Sequence, residues 1–225
     1  MLSGSVWVDN DGDSLEDVGE LPLASVNITV FDFDTNETVG SVLSNSTGLW
    51  FLNLPPGTYF AVISPPPQYV LSPGGDFDPT SLATASKDLT SPGVSDEVNA
   101  GLFIPATIQG SLWDDTDGDG IEDAGEEPYT GNVTVYLYEA DNSTVPVQTI
   151  STSNGNFTFE NVPPGDYEIV FDTGSGTSLS PNVTGGSDAD PETGSLTQTV
   201  QSGDCLLYTS PSPRDISGSR MPSSA

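Results

Sequence analysis

Basic side chains are nearly absent from this chain. Its 225 residues hold three Lys or Arg against 33 Asp or Glu, with no His, for a formal net charge of −30. That sign repels nucleic acid phosphates and anionic lipid, so neither is an electrostatic partner. It suits cations, or a salty medium that screens self-repulsion. The lack of His, with a single Cys at position 205, excludes imidazole general bases, Ser–His and Cys–His pairs, and Cys/His metal sites. There is no nucleophile elbow and no phosphate-cradling glycine loop. Carboxylate pairs of the kind a glycosidase uses are plentiful, but the acidic loops described next account for them, and no cleft can be argued. No apolar run is long enough to cross a bilayer as a helix. The chain opens directly into the strand-like Gly4-Ser5-Val6-Trp7-Val8, so no signal peptide is expected here, and a secreted parent would carry its targeting end elsewhere. High charge alone would suggest disorder. However, 34% of residues are hydrophobic, and they cluster in alternating runs, so a fold is expected.

The acidity is concentrated in one pattern that occurs twice. Asp9, Asp11, Asp13, Asp17 and Glu20 occupy positions one, three, five, nine and twelve of a loop, with Leu15 at position seven. Asp115, Asp117, Asp119, Asp123 and Glu126 repeat the spacing, with Ile121 at position seven. Hard cations take oxygen ligands, and this is the carboxylate spacing of a twelve-residue Ca²⁺ loop in which position seven offers its backbone carbonyl. An acidic turn in an acidic chain is the plainer alternative, but two copies in one register argue against chance. Position six takes the sharp turn; it is Ser14 in the first loop and Gly120 in the second, so the first site is expected to be weaker. No helical pattern flanks either loop, so calcium would clamp strands rather than open a helix pair.

The repeat extends beyond the loops. Gly4-Ser5-Val6-Trp7 returns as Gly110-Ser111-Leu112-Trp113, Val26–Phe31 as Val133–Tyr138, and Pro55-Pro56-Gly57-Thr58-Tyr59 as Pro163-Pro164-Gly165-Asp166-Tyr167. Gly74-Gly75-Asp76-Phe77-Asp78-Pro79 is echoed by Gly185-Gly186-Ser187-Asp188-Ala189-Asp190-Pro191. These aspartates could add ligands, although a solvated acidic loop is the simpler reading. A period of just over a hundred residues means tandem domains rather than solenoid units. The apolar runs alternate with period two and are bounded by Pro, Gly and Asn, which predicts an all-β sandwich. Trp7 and Trp113 are expected in the core. The short joint Ile104-Pro105-Ala106 favours an end-to-end rod.

Composition changes abruptly at Cys205. Cys205–Asp215 resembles the translation of a transposase-type sequencing adapter, and Ser219–Ala225 resembles the flow-cell end of the same adapter. Residues 205–225 are therefore expected to be a disordered artefact. Without them Lys87 is the only basic side chain and no Cys remains, so cysteine usage reports nothing about redox compartment. Domain 2 would then lack its closing strand and expose a sheet edge.

Taken together, the Gly-Ser-Val-Trp-x-Asp start, the Asp-x-Asp-x-Asp loop, the Pro-Pro-Gly-x-Tyr turn and the Asp-x-Asp-Pro stretch resemble the SdrD B-like (B-type) domain of staphylococcal serine-aspartate-repeat surface proteins, related to the collagen-adhesin B-type domain. The resemblance covers nearly all of residues 3–204. It implies two tandem Ig-like or prealbumin-like β-sandwiches, 1–104 and 105–204, the second truncated before its last strand. It also implies a non-enzymatic, Ca²⁺-stabilised stalk in an extracellular or cell-surface protein, with neighbouring domains of the same parent as its partners. Some collagen-adhesin relatives carry a Lys–Asn crosslink from an early strand. Lys87 lies late in domain 1 and domain 2 has no Lys, which rules the crosslink out for domain 2 and argues against it for domain 1. The alternative is an adhesion or carbohydrate-binding module meeting a matrix protein or glycan, or an accessory domain of a secreted enzyme. An exposed aromatic platform would favour that alternative, and Trp50 and Tyr69 are the candidates. Seven Asn-x-Ser/Thr acceptors, at Asn27, Asn36, Asn45, Asn132, Asn142, Asn156 and Asn182, exceed the roughly three that composition gives and point to a secretory route.

Overall fold

The computed structural model describes residues 1–91, 93–174, 177–180, 187–211 and 214–215. Among these residues every regular element is a β-strand. The chain divides into two compact units, Met1–Pro105 with Gln201–Gly203, and Ala106–Val200 with Asp204–Ala225.

The first unit contains β1 (Leu2–Val8), β2 (Asn27–Asp32), β3 (Thr38–Leu43), β4 (Leu49–Leu52), β5 (Thr58–Ser64), β6 (Val70–Leu71), β7 (Lys87–Asp88), β8 (Asp96–Glu97) and β9 (Ala100–Phe103). They form two sheets, β4-β1-β9-β6 with β8 also beside β1, and β3-β2-β5-β7. The alternation read from the sequence decides which side chains meet. Ile28 and Val30 of β2 and Ala61 and Ile63 of β5 are fully buried, while Thr29 between them points outward. From the other sheet Leu2, Val6 and Leu102 join the same core. Each fully buried aliphatic side chain stabilises the fold by about 1.5–3 kcal/mol.

Two motifs find their reasons here. The Tyr59 hydroxyl donates to the Pro55 carbonyl at 2.8 Å, pinning the corner at which the chain enters β5. A Cβ on Gly57 would lie 2.8 Å from that hydroxyl oxygen, so the motif needs glycine there. Gly4 lies opposite Trp50 in the β1–β4 register, and a Cβ on it would run into the Val98 carbonyl. Gly4 is what lets the parallel β8–β9 segment close against β1.

The second unit contains β10 (Ala106–Trp113), β11 (Val133–Glu139), β12 (Gln148–Thr152), β13 (Asn156–Val162), β14 (Gly165–Asp172), β15 (Thr177–Ser178), β16 (Ser195–Val200), β17 (Cys205–Pro211) and β18 (Arg214–Asp215). Its sheets are β12-β11-β14-β16 and β13-β10-β17, with β15 paired to β18. Ile108, Leu112, Val135, Leu137, Phe159 and Ile169 fill the space between, and Tyr167 repeats the corner by donating to Pro163 at 3.0 Å.

One expectation fails. The second unit does not lack its closing strand: among the described residues after Asp204, Cys205–Pro211 form a strand. Strand β17 runs parallel to β10 from Thr107↔Cys205 to Trp113↔Pro211, on the side of β10 that β8 and β9 take beside β1. The physical reason is local. The outer edge of β10 presents a row of N–H and C=O groups that require partners. Leu206 and Tyr208 alternate inward to pack on the core, while Leu207 is 70% exposed.

Candidate metal centres

Each acidic loop starts where a first strand ends. Asp9 follows β1 and is tied to the closing strand through its N–H, which donates to Leu102 O at 2.9 Å. Its side chain is fully buried. Its charge is met by backbone amides: Gly12 N–H donates to Oδ1 at 2.7 Å and Ser14 N–H to Oδ2 at 3.0 Å. Asp115 follows β10, is 4% exposed, and accepts Gly118 N–H at 2.5 Å and Gly120 N–H at 3.0 Å. Smaller turns are nested inside. Asp11 accepts from Asp13 and Asp13 from Leu15; Asp117 accepts from Asp119 and Asp119 from Ile121.

The glutamate at position twelve folds back over the loop. Glu20 accepts Asn10 N–H at 2.6 Å and Asp17 N–H at 3.0 Å. Glu126 does the same with Thr116 at 2.7 Å and Asp123 at 3.0 Å. The loops therefore share one backbone path, set by glycines at positive φ: Gly12 and Gly118 at 83° and 80°, Gly19 and Gly125 at 111° and 113°. At position six Ser14 adopts φ 64° where Gly120 adopts 81°. Left-handed backbone costs a non-glycine residue roughly 1–2 kcal/mol. Against that, Ser14 Oγ donates to Pro73 O at 2.6 Å, an anchor the glycine lacks.

The two loops gather different sets of carboxylates. In the first, oxygens of Asp9, Asp11 and Asp13 all lie within 4.8 Å of one another. In the second there are two overlapping groups under the same limit, Asp115–Asp117–Glu126 and Asp117–Asp119–Asp123. The two groups of the second loop share Asp117 and between them include all five of its carboxylates, whereas Asp17 and Glu20 stand outside the first group. The Leu15 and Ile121 side chains are exposed, at 64% and 40%.

Crowding of like charge shows in the acidities. Burial first, then the charges of Asp13, Asp9 and Asp17, lift Asp11 above its ordinary value. Burial first, then Asp9 and Asp11, lifts Glu20. The Asp119 charge is the main cause that raises Asp123. Glu126 is held below its usual range, chiefly by the Asp123 N–H and then by that of Thr116.

The other repeated aspartates do different work. Asp76 Oδ2 accepts Asn99 N–H at 2.8 Å, and Asp188 Oδ2 accepts Thr209 N–H at 2.9 Å, so each fastens the closing strand of its own unit. Asp78 caps the turn at Thr80 and Ser81, and Asp190 the turn at Glu192 and Thr193. Gly185 and Gly186 of this echo, like Asn182, lie outside the described residues. Sequence spacing does not reveal the strand fastening. The occurrence of the same Asp in both repeats is its one visible trace.

The aromatic candidates for a platform also resolve. Trp50 is 2% exposed and Tyr69 packs half-buried on the core. Trp50 presents no surface and Tyr69 only part of its ring. Trp7 and Trp113 are 2% and 1% exposed and belong to the interior.

Among known proteins, residues 106–209 match the family described as the SdrD B-like domain. Serine-aspartate repeat-containing protein D of Staphylococcus aureus (strain Newman) is 31% identical over 205 residues, covering 88% of this chain and 15% of that protein. Serine-aspartate repeat-containing protein F of Staphylococcus epidermidis is 29% identical over 188 residues, covering 78% of this chain and 11% of that protein. The chain thus spans about 15% of the length of the first of these relatives. Among solved structures, the minor pilin GBS52 of Streptococcus agalactiae aligns over 99% of both chains at 14% identity with a TM-score of 0.40. The Bacillus anthracis TIE protein aligns over 92% of this chain and 33% of its own at 12% identity with a TM-score of 0.39. Residues 106–209, which carry the second acidic loop and end in β17, are an SdrD B-like domain.

Proposed function

We propose that the chain is a non-enzymatic, Ca²⁺-stabilised stalk segment of a larger extracellular or cell-surface protein, and that residues 1–104 are a second copy of the domain at 106–209. The observation that supports the reading is the grouping of carboxylates in the loop after the first strand of each unit, where Asp9 and Asp115 are buried and accept backbone amides. Clustered hard oxygen ligands are the donor set calcium takes. Asp9, Asp11 and Asp13 would hold it in the first unit, and Asp115, Asp117, Asp119, Asp123 and Glu126 in the second. The ion would neutralise the loop and pin it between the first strand and the closing strand. Neighbouring domains of the parent are the expected partners.

A ligand-binding role finds less support. On β2 and β5 of the first unit, Phe31 and Phe60 are only half-buried. They stack on each other at 5.1 Å with planes 12° apart, so one face of each ring is already covered by its neighbour.

Melting in calcium and in chelator tests the proposal. With calcium at about ten times Kd, one site contributes roughly 1.4 kcal/mol, or about 5–10 °C for a domain of this size. Asp119→Ala should shrink that response. An identical melting curve with EGTA would overturn the calcium reading.

A further inference from the structure

The acceptor sequons are not spread evenly over the molecule. Those among the described residues fall in two short stretches, Asn27 to Asn45 and Asn132 to Asn156. These stretches form the same flank of each unit. In the first unit β3 and β4 are the outer strands of their two sheets and lie beside each other. In the second unit β12 and β13 hold the same positions. Asn36 sits in the β2–β3 turn, Asn45 between β3 and β4, Asn142 between β11 and β12, Asn156 at the start of β13, and Asn132 just before β11. All five are exposed, and the Asn156 amide, although it donates to Asn154 O at 3.3 Å, stays on the surface. Asn27 is half-buried, and its amide is engaged with Thr29 and Ser41.

Part of the exposed apolar surface also lies on this flank. Val39 and Leu43 of β3 are 40% and 58% exposed, and Leu49 and Phe51 of β4 are 52% and 61% exposed. In the second unit Val145 and Val147 of the β11–β12 loop are 65% and 44% exposed. Outer strands with free backbone groups and apolar side chains are templates for edge-to-edge pairing. Here neither a proline nor a basic residue stands within β3 or β4 to prevent it. Two of the sequons already hold the local turn that presents the amide. Asn45 Oδ1 accepts the Thr47 N–H and hydroxyl, both at 2.8 Å, and Asn142 Oδ1 accepts the Thr144 hydroxyl at 2.7 Å.

We propose that Asn36, Asn45, Asn132, Asn142 and Asn156 carry N-linked glycans, and that these glycans shield the β3/β4 and β12/β13 edges from pairing with other chains. The inference rests on the extracellular reading above. In the attachment step, Nδ2 of the Asn attacks the anomeric carbon of a saccharide carried on a polyprenyl phosphate. A C–N bond forms, the C–O bond to phosphate breaks, the phosphate leaves with the electron pair, and Nδ2 gives its proton to a base of the transferase. The product is bulky and hydrated and cannot enter a sheet.

The test uses the full chain secreted from a cell with Asn-linked glycosylation. Enzymatic glycan release in heavy-oxygen water marks each formerly glycosylated Asn. Marks at Asn45 and Asn142, with none at Asn27, support the assignment. A secreted chain unmarked at Asn45 and Asn142 overturns it, while leaving the calcium response, and with it the stalk reading, untouched. Shielding is read separately by light scattering against time. The glycosylated chain should associate several-fold more slowly than the same chain trimmed by an endoglycosidase to single sugars, and than Thr38→Ala/Thr47→Ala, which removes two sequons yet keeps Asn45 bonded to the Thr47 and Leu49 amides. Phe51→Lys in the trimmed chain should restore slow association. Equal rates with and without glycan overturn the shielding role, and the trimmed chain gives that answer even if the double variant misfolds.

Discussion

Substituting Asp115 and Asp119 by Asn separates what the loop owes to its own amides from what it owes to calcium. Asp115 is 4% exposed, and each of its oxygens takes a backbone N–H, from Gly118 at 2.5 Å and from Gly120 at 3.0 Å. Asparagine has one carbonyl oxygen, so in either orientation its NH₂ faces one of those N–H groups. One charge-assisted hydrogen bond is lost and a buried amide is left without it, at a cost of about 2 kcal/mol. For a domain of roughly a hundred residues this is a fall of about 10 °C in Tm. It should be seen in chelator as well as in calcium. Asp119 is exposed and takes only the Ile121 N–H, at 2.8 Å, which an Asn carbonyl accepts equally well. In chelator Asp119→Asn should stay within about 0.5 kcal/mol of the parent; in calcium it should lose most of the second site's contribution. Calorimetry of both variants in calcium and in EGTA gives four shifts. Equal shifts for the two variants in chelator, or no shift for Asp115→Asn, would refute the account of an amide cage surrounding an ion site.

Four further outcomes follow from the packing and its hydrogen bonds. Gly110→Ala should cost about 1–3 kcal/mol, because its Cβ would lie 2.5 Å from the Phe157 ring and 2.9 Å from Tyr208 O; an unchanged urea midpoint would deny the close approach of β17 to β10. Tyr167→Phe removes the hydroxyl that donates to Pro163 O at 3.0 Å and should lower stability by about 1 kcal/mol. Burial first, then Glu139, pushes the Tyr167 hydroxyl up to about 12; because the folded value exceeds the unfolded one, its stabilisation is complete below pH 10.0 and is lost as pH rises towards about 12, which a tyrosinate absorbance titration followed against ellipticity will show. At the acid end, hydrogen bonds from Ser81 hold Asp78, and those from Thr193 and Glu192 hold Asp190, below the ordinary 3.8. Their stabilisation is present above that value and lost as pH falls through the lower folded value, so Asp78→Asn, which keeps an acceptor oxygen, should flatten the acid limb of the stability curve.

Where the core can be read from the sequence, alternation is unambiguous. Asn27-Ile28-Thr29-Val30 can bury only one of its two faces, and Ile28 and Val30 are both at zero exposure. Leu49-Trp50-Phe51-Leu52 is apolar throughout, so period two cannot say which pair turns inward. That choice is made by a partner far away in sequence. Trp50 is set opposite Gly4, the one β1 residue with no side chain in its way, and Leu49 and Phe51 are thereby left outside. The acidic loops are legible as loops because all their ligand candidates are local. The role of Asp76 is not, because its partner Asn99 lies 23 residues on and is a backbone amide, which no residue type announces.

The closing strand shows the same limit from the other side. Leu206 and Tyr208 alternate visibly in the sequence, yet the abrupt change of composition around them points away from a strand. A sheet edge responds to backbone and side-chain pattern rather than to overall composition. Strand β10 offers unpaired groups along its length, and a segment that can turn Leu206 and Tyr208 inward satisfies them from Thr107 to Trp113. The contrast with the first unit is then one of fit. There, Val98 and Leu102 bring fully buried aliphatic side chains to the closing position, and Asn99 Oδ1 reaches back to the Ser5 amide at 2.8 Å. In the second unit half-buried Leu206 and Tyr208 take that role. Grafting Val98–Phe103 onto the chain after Asp204 should therefore raise the stability of the second unit. A melting temperature no higher than that of the parent would mean that backbone pairing alone, whatever the side chains, closes this sheet.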